Sequence, residues 1–287
     1  MHEIDAILVN WNGRGQIETA IDSVLGADGV RVTVADNGST DGSVEELRSR
    51  YGDAIDIIEN GENLGFGAGA NRAIAKTSAP FIFLLNPDAV AHPGCTEALA
   101  AFMHAHPDAA VAGPKIFERD GSIAQSCGEF DTWTGAFLRS SAWGDLPLFR
   151  PFANGASLRD WDYQSERRVD LVIGAAMLIR RSALERTGAF DERFFMYHEE
   201  IDLQKRLHDA GFEIWFVPQA QATHTGMGSS GGTNVEQWKR DSRRMYWVKH
   251  HGRAWYYALS AALVGRYVLY LGVLAAVGFG IKKALFR

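Results

Sequence analysis

Four short segments concentrate the residues that could bind a polar ligand, and each follows an apolar run. They are 10–13 (NWNG), 36–43 (DNGSTDGS), 62–71 (ENLGFGAGAN) and 86–88 (NPD). Any one of them alone is typical of a turn, because asparagine, aspartate, glycine and proline all favour turns. Together they predict a single polar edge, rich in carboxylates, amides and glycines, that binds a ligand with phosphate groups.

A second group of candidate residues lies in the segment YHEEIDL, where Glu199, Glu200 and Asp202 crowd into four positions. Acidic residues are common at a helix N-terminus, where the macrodipole favours them. The apolar and aromatic residues 194–197 stand directly before them. Such neighbours disfavour the ionised carboxylate and raise its pKa, which suits a general base. His224, in a segment rich in glycine and serine, is a candidate ligand only if a metal lies nearby.

The glycine-rich segment GFGAGA at 65–70 also satisfies the dinucleotide fingerprint G-x-G-x-x-G/A. An NAD-dependent Rossmann oxidoreductase is therefore a rival interpretation. Two features count against it: residues 60–64 separate the motif from the preceding strand, and the acid expected about twenty residues later would be Asp88, behind a proline. A non-catalytic sugar-binding protein is a third interpretation.

Regular elements must bring these segments together. We predict strands over 4–9, 30–35, 54–59 and 80–85, separated by helices over 16–27, 43–52 and 69–77. This alternation predicts an α/β fold with a parallel sheet and helices on both faces. Ligands bind beyond the carboxyl ends of such strands, where all four polar segments fall. Further along, we predict a helix over 198–211 and a strand over 212–217.

Composition limits the class of protein. The 287 residues can hold one large α/β domain or two modest ones, and the hydrophobic fraction of 46% is ordinary for a folded protein. Cys95 and Cys127 form neither a disulfide framework nor a metal-finger spacing, which favours a reducing, intracellular setting. The N-terminus lacks a basic region before its apolar run and predicts a first strand rather than a signal peptide.

Charge is distributed unevenly along the chain. Residues 239–287 carry a net charge of +9, whereas the remainder carries −15. The stretch 254–281 contains only one charged residue, Arg266, but its longest uncharged run is fifteen residues, short of the roughly 18 expected for a membrane span. With basic and aromatic flanks, it predicts monotopic attachment to an anionic membrane surface. Three other interpretations stay open: a buried helix, a homo-oligomer contact and a single membrane span.

Six blocks in order resemble the inverting family 2 glycosyltransferases of the GT-A fold. The blocks are VNWN, VADNGSTDGS, ENLGFGAGANRAI, LLNPDAV, IGAAMLIRRSALERTGAFDERFFMYHEEIDLQKRL and THTGMGSS. The resemblance covers about 4–247 and is nearest to the rhamnosyltransferase-like branch, whose members build bacterial cell-surface polysaccharides. It implies a Rossmann-like, mostly parallel central sheet flanked by helices over 1–238. Within that domain, a nucleotide-sugar half spans about 1–115 and an acceptor and catalytic half about 116–238, before the membrane-associating helices of 239–287.

The resemblance also implies roles for individual residues. Asp36 would contact the nucleotide base and ribose. The other substrate-binding candidates, including those at the predicted polar edge, are Asn10, Asn12, Asn37, Asn63, Gly65, Asn71, Asn86 and Asp202, with Gly174 and Ala175 at the acceptor site. Asn86-Pro87-Asp88 stands where the family has its D-x-D metal motif. Asp88 would therefore hold Mg²⁺ or Mn²⁺, with His224 as a second ligand.

The catalytic base implied by the resemblance is Glu200, with Glu199 as the alternative because the family often has aspartate there. The expected activity is metal-dependent, inverting transfer of a sugar from a nucleotide donor to a lipid-linked saccharide. The donor expected from the branch is dTDP-L-rhamnose, and the acceptor is a polyprenyl-diphosphate-linked saccharide; another NDP-hexose donor is the alternative. We expect attachment to the cytoplasmic face of the bacterial plasma membrane and no nucleic-acid partner.

Overall fold

The protein is described by a computed structural model that covers residues 2–141, 143, 161–226 and 234–285, with 272–285 described through the backbone alone. The chain divides into two compact units. The first comprises Met1–Glu129 and Leu158–Arg243, and the second comprises Phe130–Ser157 and Arg244–Arg287.

The first unit is built on a nine-stranded sheet. Its strands are β1 (Ile4–Asn10), β2 (Val30–Asp36), β3 (Ile55–Glu59), β4 (Phe81–Leu85), β5 (Ala89–Ala91), β6 (Ala109–Glu118), β8 (Arg167–Val169), β10 (Ala176–Arg180) and β11 (Glu213–His224). The order is β3-β2-β1-β4-β10-β6-β11-β5, and β8 pairs with β11. Strands β1 to β4, β6 and β11 share one direction, so the sheet is mostly parallel, as predicted. Two short strands, β7 (Cys127–Gly128) and β9 (Leu171–Val172), form a separate antiparallel pair.

Helices cover both faces of the main sheet. Those of the first unit are α1 (Ile17–Asp22), α2 (Ser43–Tyr51), α3 (Phe66–Ile74), α4 (Cys95–Ala105), α6 (Arg181–Thr187), α7 (Glu199–Asp209) and the first half of α8 (Val235–His251). Strand β1 is buried along its whole length. Because alternate strand residues face opposite sides, Ala6 and Leu8 join one apolar cluster and Ile7 and Val9 join the other.

Several element boundaries differ from the sequence prediction; helix α3, predicted over 69–77, spans Phe66–Ile74, and two other differences have identifiable reasons. Helix α1 ends at Asp22 because the hydroxyl of Ser23 donates to the carbonyl of Ala20 at 2.6 Å, which competes with helical bonding. Strand β11 continues to His224, past the predicted end at 217. An irregularity in its register between Val217 and Gln221 accommodates Pro218, which cannot donate to the ladder.

The second unit contains α5 (Trp133–Ser140), the end of α8 and the long helix α9 (Arg253–Leu285), on which α5 packs. Among the described side chains of α9, those of residues 253–271, the exposed large apolar ones are Trp255, Tyr257, Leu263, Val264, Tyr267, Val268, Leu269, Tyr270 and Leu271. In the part of the chain that the structure describes, no helix meets the length and hydropathy needed to cross a membrane.

Candidate active site

The carboxyl ends of β1 and β2 are joined by a buried hydrogen-bond network. The amide of Asn10 donates to the Oδ1 atom of Asp36 at 2.8 Å and to the hydroxyls of Ser39 and Ser43 at 3.1 and 3.0 Å. Asp36 also accepts the backbone N–H of Ser39 at 3.0 Å and its hydroxyl at 2.6 Å. Nearby, Asn12 accepts the backbone N–H of Thr40 at 2.8 Å. These hydrogen bonds fix the conformation of the loop after β2.

Beyond these strand ends lies a cavity of about 360 Å³ in the first unit. Ten of the candidate residues line it: Asn37, Asn63, Gly65, Asn86, Asp88, Gly174, Ala175, Glu199, Glu200 and His224. Five do not: Asn10, Asn12, Asp36, Asn71 and Asp202. The substrate-binding roles of all these residues stay predictions. The sequence reasoning also missed lining residues, notably Trp11, Gln16, Phe66 and Ile173, whose apolar or uncharged side chains carry no chemical signature.

One wall of the cavity carries Asp88 and His224. Antiparallel pairing sets His224 of β11 opposite Ala89 of β5, and the carbonyl of Asp88 accepts the backbone N–H of Thr225 at 2.9 Å. As a result the Nε2 atom of His224 lies 3.2 Å from Oδ1 of Asp88. The hydrogen bond with Asp88 raises the pKa of His224, against the opposing effect of burial.

The donor set on this wall fits a divalent cation. A carboxylate and an imidazole in contact at the cavity surface are ligands that such ions accept. Among the described residues, no group of three or more histidine, cysteine or acidic side chains could hold a metal. Among the described residues, Asp88 and His224 are the two candidate ligands on this wall. That number suits an ion that keeps several waters and binds substrate phosphates, as Mg²⁺ usually does in proteins.

The other wall carries Glu199 and Glu200, the first two residues of α7. The two residues before them, Tyr197 and His198, both have left-handed backbones, with φ of 69° and 68°. Non-glycine residues rarely adopt this conformation, and those that do are concentrated at functional sites. The resulting sharp entry turns both carboxylates toward the cavity, where the Oε2 atom of each lacks a protein partner in the described chain.

The two carboxylates occupy different surroundings. A Cβ placed on Gly174 would stand 3.5 Å from the Cγ of Glu200, whereas one placed on Gly67 of α3 would stand 3.6 Å from the Cβ of Glu199. Burial raises the pKa of Glu200. Burial, and then the charge of Glu200, raise that of Glu199 well above its usual value. Asp202, fully buried, instead accepts the Nε–H of Arg206 at 3.0 Å within α7.

Gly65 links the loops that carry Asn37 and Asn63 to the segment before Glu199. Its backbone N–H donates to the side chain of Asn63 at 3.0 Å, and its carbonyl accepts the amide of Asn37 at 2.9 Å. The next residue, Phe66, donates its N–H to the carbonyl of Phe195 at 3.0 Å. Gly65 precedes α3 after a loop rather than directly following β3, which departs from the dinucleotide fingerprint.

Asn71 performs a different task on the far side of α3. Its amide donates to the carbonyl of Phe190 at 2.9 Å and to the carboxylate of Glu192 at 3.0 Å, and it accepts the N–H of Phe190 at 3.0 Å. These contacts fasten α3 to the segment before Glu199 and Glu200. The amide is fully occupied by protein groups.

An α/β sheet whose strand-end cavity is lined by a carboxylate–imidazole pair and by two high-pKa carboxylates is typical of an enzyme. Comparison with known proteins identifies the family. The model of the family described as "Glycosyl transferase family 2" matches residues 5–188. The chain belongs to this family and is a glycosyltransferase. The dehydrogenase interpretation is therefore wrong.

Two curated relatives indicate the branch. The N-acetylglucosaminyl-diphospho-decaprenol L-rhamnosyltransferase of Mycobacterium tuberculosis is 34% identical over 215 residues, which are 70% of this chain and 68% of the relative. The low-salt glycan biosynthesis hexosyltransferase Agl10 of Haloferax volcanii is 26% identical over 229 residues, 78% of this chain and 67% of the relative. The resemblance to rhamnosyltransferases drawn from the sequence is confirmed.

Solved structures share the fold. GalNAc-T7 with UDP, GalNAc and Mn²⁺ superposes with a TM-score of 0.59 at 14% identity over 86% of this chain, which spans about half (48%) of that protein's chain. The mannosyltransferase PcManGT of Pyrobaculum calidifontis, in complex with GDP-Man and Mn²⁺, gives 0.55 at 16% identity over 98% of this chain and 80% of its own. These likenesses establish a GT-A-like α/β fold.

Proposed function

We propose that this glycosyltransferase transfers L-rhamnose from dTDP-L-rhamnose, with inversion, to a saccharide linked to polyprenyl diphosphate, in the synthesis of bacterial cell-surface polysaccharide. The observation that carries the proposal is the cavity in which Asp88 and His224 face Glu200. The sugar and the acceptor are supported by the mycobacterial relative, whose name specifies an L-rhamnosyltransferase acting on N-acetylglucosaminyl-diphospho-decaprenol.

Glu200 is the base of the proposed reaction. Its carboxylate takes the proton from an acceptor hydroxyl as the hydroxyl oxygen attacks the anomeric carbon of the donor. The bond from that carbon to the donor diphosphate breaks, and the nucleoside diphosphate leaves on the opposite face. This single displacement inverts the configuration and needs no protein nucleophile. Burial raises the pKa of Glu200, which makes the carboxylate a stronger base than an exposed glutamate.

Asp88 and His224 are the residues that would hold Mg²⁺ or Mn²⁺. When bound, the cation supplies positive charge that stabilises the leaving diphosphate. The chain contributes the orientation of this wall: Asn86 donates its backbone N–H to the carbonyl of Ala175 at 2.9 Å, and Ala89 donates to the carbonyl of Asn86 at 3.0 Å. The two bonds fix the turn that carries Asp88.

The second unit supports attachment to a membrane surface, at the cytoplasmic face where a lipid-linked acceptor and a nucleotide donor meet. Helix α9 exposes apolar and aromatic side chains from Trp255 to Leu271. Basic residues such as Arg244 and Lys249 precede it, and Arg266 lies within it. Exposed apolar area adjoining cationic side chains binds anionic leaflets, at about 1 kcal/mol for each basic residue near the surface.

The decisive test of the reaction is a donor panel with one acceptor. The full chain is incubated with Mn²⁺, N-acetylglucosaminyl-diphospho-polyprenol and, in turn, dTDP-L-rhamnose, UDP-N-acetylglucosamine or GDP-mannose, and the product is identified by mass and by anomeric configuration. We expect an inverted rhamnosyl product. Transfer from another donor would show that the assigned sugar is wrong and that the assigned reaction class is right. Sugar-nucleotide binding without transfer would show that the acceptor is misassigned.

Membrane attachment is tested separately by sedimentation with vesicles. We expect binding to vesicles that contain anionic phospholipid and weak binding to neutral ones. Replacing Val264 and Leu271 by glutamate should abolish sedimentation, because both side chains are exposed, at 61% and 66%. Unchanged sedimentation of this double variant would contradict attachment through α9.

A further inference from the structure

The first turns of α8 pack on the segment that leads into the catalytic carboxylates. The ring of Trp238 lies 5.0 Å from that of Phe195, between centroids. The hydroxyl of Ser242 donates to the carbonyl of Met196 at 2.8 Å, and Ser242 is buried. Met196 lines the cavity. This part of α8 is therefore fixed at the edge of the cavity, on the side of the base.

Lys239 extends this contact to the cavity rim. Its ammonium lies 5.3 Å from the ring centroid of Tyr197, a lining residue two positions before Glu199. Among the described residues, Lys239 forms an ion pair with Glu236 alone, on the same helix at 3.2 Å, and the side chain of Glu236 is 84% exposed. Such an exposed ion pair contributes little to stability, so Lys239 can readily exchange Glu236 for another anion.

Arg243 stands one turn further along α8, on the same stripe as Lys239, because residues four apart on a helix are neighbours. Its side chain is exposed, and the guanidinium forms no hydrogen bond or ion pair with any residue that the structure describes. This stretch of α8 therefore carries two neighbouring cations, Lys239 with one exposed partner and Arg243 with no partner among the described residues.

We propose that Lys239 and Arg243 bind the diphosphate of the acceptor. This inference rests on the proposed function and names a site for its second substrate. The attacking hydroxyl must lie at Glu200, and in a sugar diphosphate the phosphates then lie across one sugar ring from that hydroxyl. Glu199 and Glu200 repel such an anion, and neighbouring cations offset the repulsion. Arginine suits the task, because its planar fork binds phosphate oxygens in pairs.

The same cations could instead meet phospholipid headgroups, so the test is carried out without lipid. The probe is N-acetylglucosaminyl diphosphate on a short, water-soluble alkyl chain, compared with the alkyl N-acetylglucosaminide that lacks the diphosphate. We expect Lys239→Ala and Arg243→Ala each to raise KM for the diphosphate probe about tenfold, the loss of one charge-assisted hydrogen bond. For Arg243→Lys, the KM for the diphosphate probe should lie between those of the wild type and of Arg243→Ala. KM for the glycoside should not change.

Arg240→Ala is the matched control, since it removes one exposed positive charge from the same helix; it should leave both KM values unchanged. Equal increases for both acceptors, or none, would overturn the proposal. So would an effect that appears only with anionic vesicles, which would assign the two cations to headgroups.

A direct measurement of binding tests the anion site independently of whether the proposed reaction takes place. Titration calorimetry of the full chain with the diphosphate probe needs no transfer. We expect the wild-type chain to bind the probe about tenfold more tightly than Arg243→Ala does. If no rhamnose is transferred yet this difference holds, the reaction is misassigned and the anion site stands. If wild type and variant bind equally, the anion site is refuted, whatever the activity.

Discussion

The carbonyl oxygen of Phe195 lies 2.0 Å from the position that a Cβ on Gly65 would occupy. Gly65 directly precedes α3, and Phe195 belongs to the segment before Glu199 and Glu200. Their backbones approach so closely that only a residue without a side chain fits. This close backbone contact thus ties the start of α3 to the segment before Glu199.

Gly65→Ala should therefore damage stability and activity together. The new Cβ would push the Phe195 carbonyl away, and φ of 84° with ψ of 176° is a backbone region essentially restricted to glycine. We expect a loss of at least about 2 kcal/mol in the free energy of unfolding, measured by denaturant titration, and a fall in kcat/KM. Gly121→Ala is the control, because its φ is 83° but nothing lies within 4 Å. Equal losses in both variants would show that the close approach is unimportant.

Glu200→Gln should abolish transfer while preserving donor binding. The amide keeps the shape of the side chain beside Gly174 but cannot accept the proton of the acceptor hydroxyl. General-base catalysis contributes about 10²- to 10⁴-fold, so kcat should fall by that factor with little change in the Kd of the donor. Retention of more than about a tenth of wild-type kcat would exclude Glu200 as the base.

The pH dependence of kcat/KM should reveal the raised pKa of the carboxylate pair. A base acts only when ionised, and burial raises the pKa of both Glu199 and Glu200. Activity should therefore be present above the raised pKa and be lost as pH falls through it, at a higher pH than an exposed glutamate would give. The charge of Glu200 raises the pKa of Glu199, so Glu200 ionises first, while Glu199 is still protonated and neutral. Glu199→Gln should therefore leave this acidic limb in place, and a limb that moves with the substitution would show that Glu199 is the group that sets it.

Asp88→Asn and His224→Gln test the cation site. Asp88 lies in contact with His224, and each would supply one ligand. We expect both variants to require at least about tenfold more Mn²⁺ for half-maximal activity, since loss of even an indirect partner of a metal ligand costs 10- to 100-fold. His92→Gln, a histidine that contacts Thr223 at 2.8 Å outside the cavity lining, is the control. Full wild-type activity after chelation of metal would exclude the cation from the reaction.

Asn71→Ala and Asn63→Ala should separate a structural amide from one that lines the cavity. Asn71 makes three hydrogen bonds to Phe190 and Glu192, so its loss should cost about 1–3 kcal/mol in unfolding free energy and leave the KM of the donor nearly unchanged. Asn63 lines the cavity, and its variant should raise that KM. The reverse pattern would place the nucleotide on the far side of α3.

The sheet edge was predictable because local signals and burial agree. Apolar runs such as FIFLL became strands, and the polar segments after them fell at the carboxyl ends, where parallel strands must expose their loops. The extension of β11 was not predictable, because Pro218 signals a strand end unless a bulge absorbs it. That extension is what carries His224 to Asp88.

Side-chain roles within the polar edge were harder to predict than its existence. Asn10 and Asp36 have the same residue types as lining residues, yet they bond to one another and to Ser39. Whether an amide faces a ligand or a neighbouring loop depends on backbone direction after the strand. Composition carries no information about that direction, and for the same reason Trp11 and Gln16 went unrecognised.

The sequence by itself determined the fold class, the family, and the segments from which the site is built, because strand periodicity, turn residues and ordered motif blocks are local properties of the chain. Tertiary structure alone decided which of these residues share a cavity, and it separated Glu199 from Glu200. It also set α8 against the cavity rim. Those relationships join residues far apart in the chain, and they follow from strand register, close backbone contact and burial, which exist only once the chain has folded.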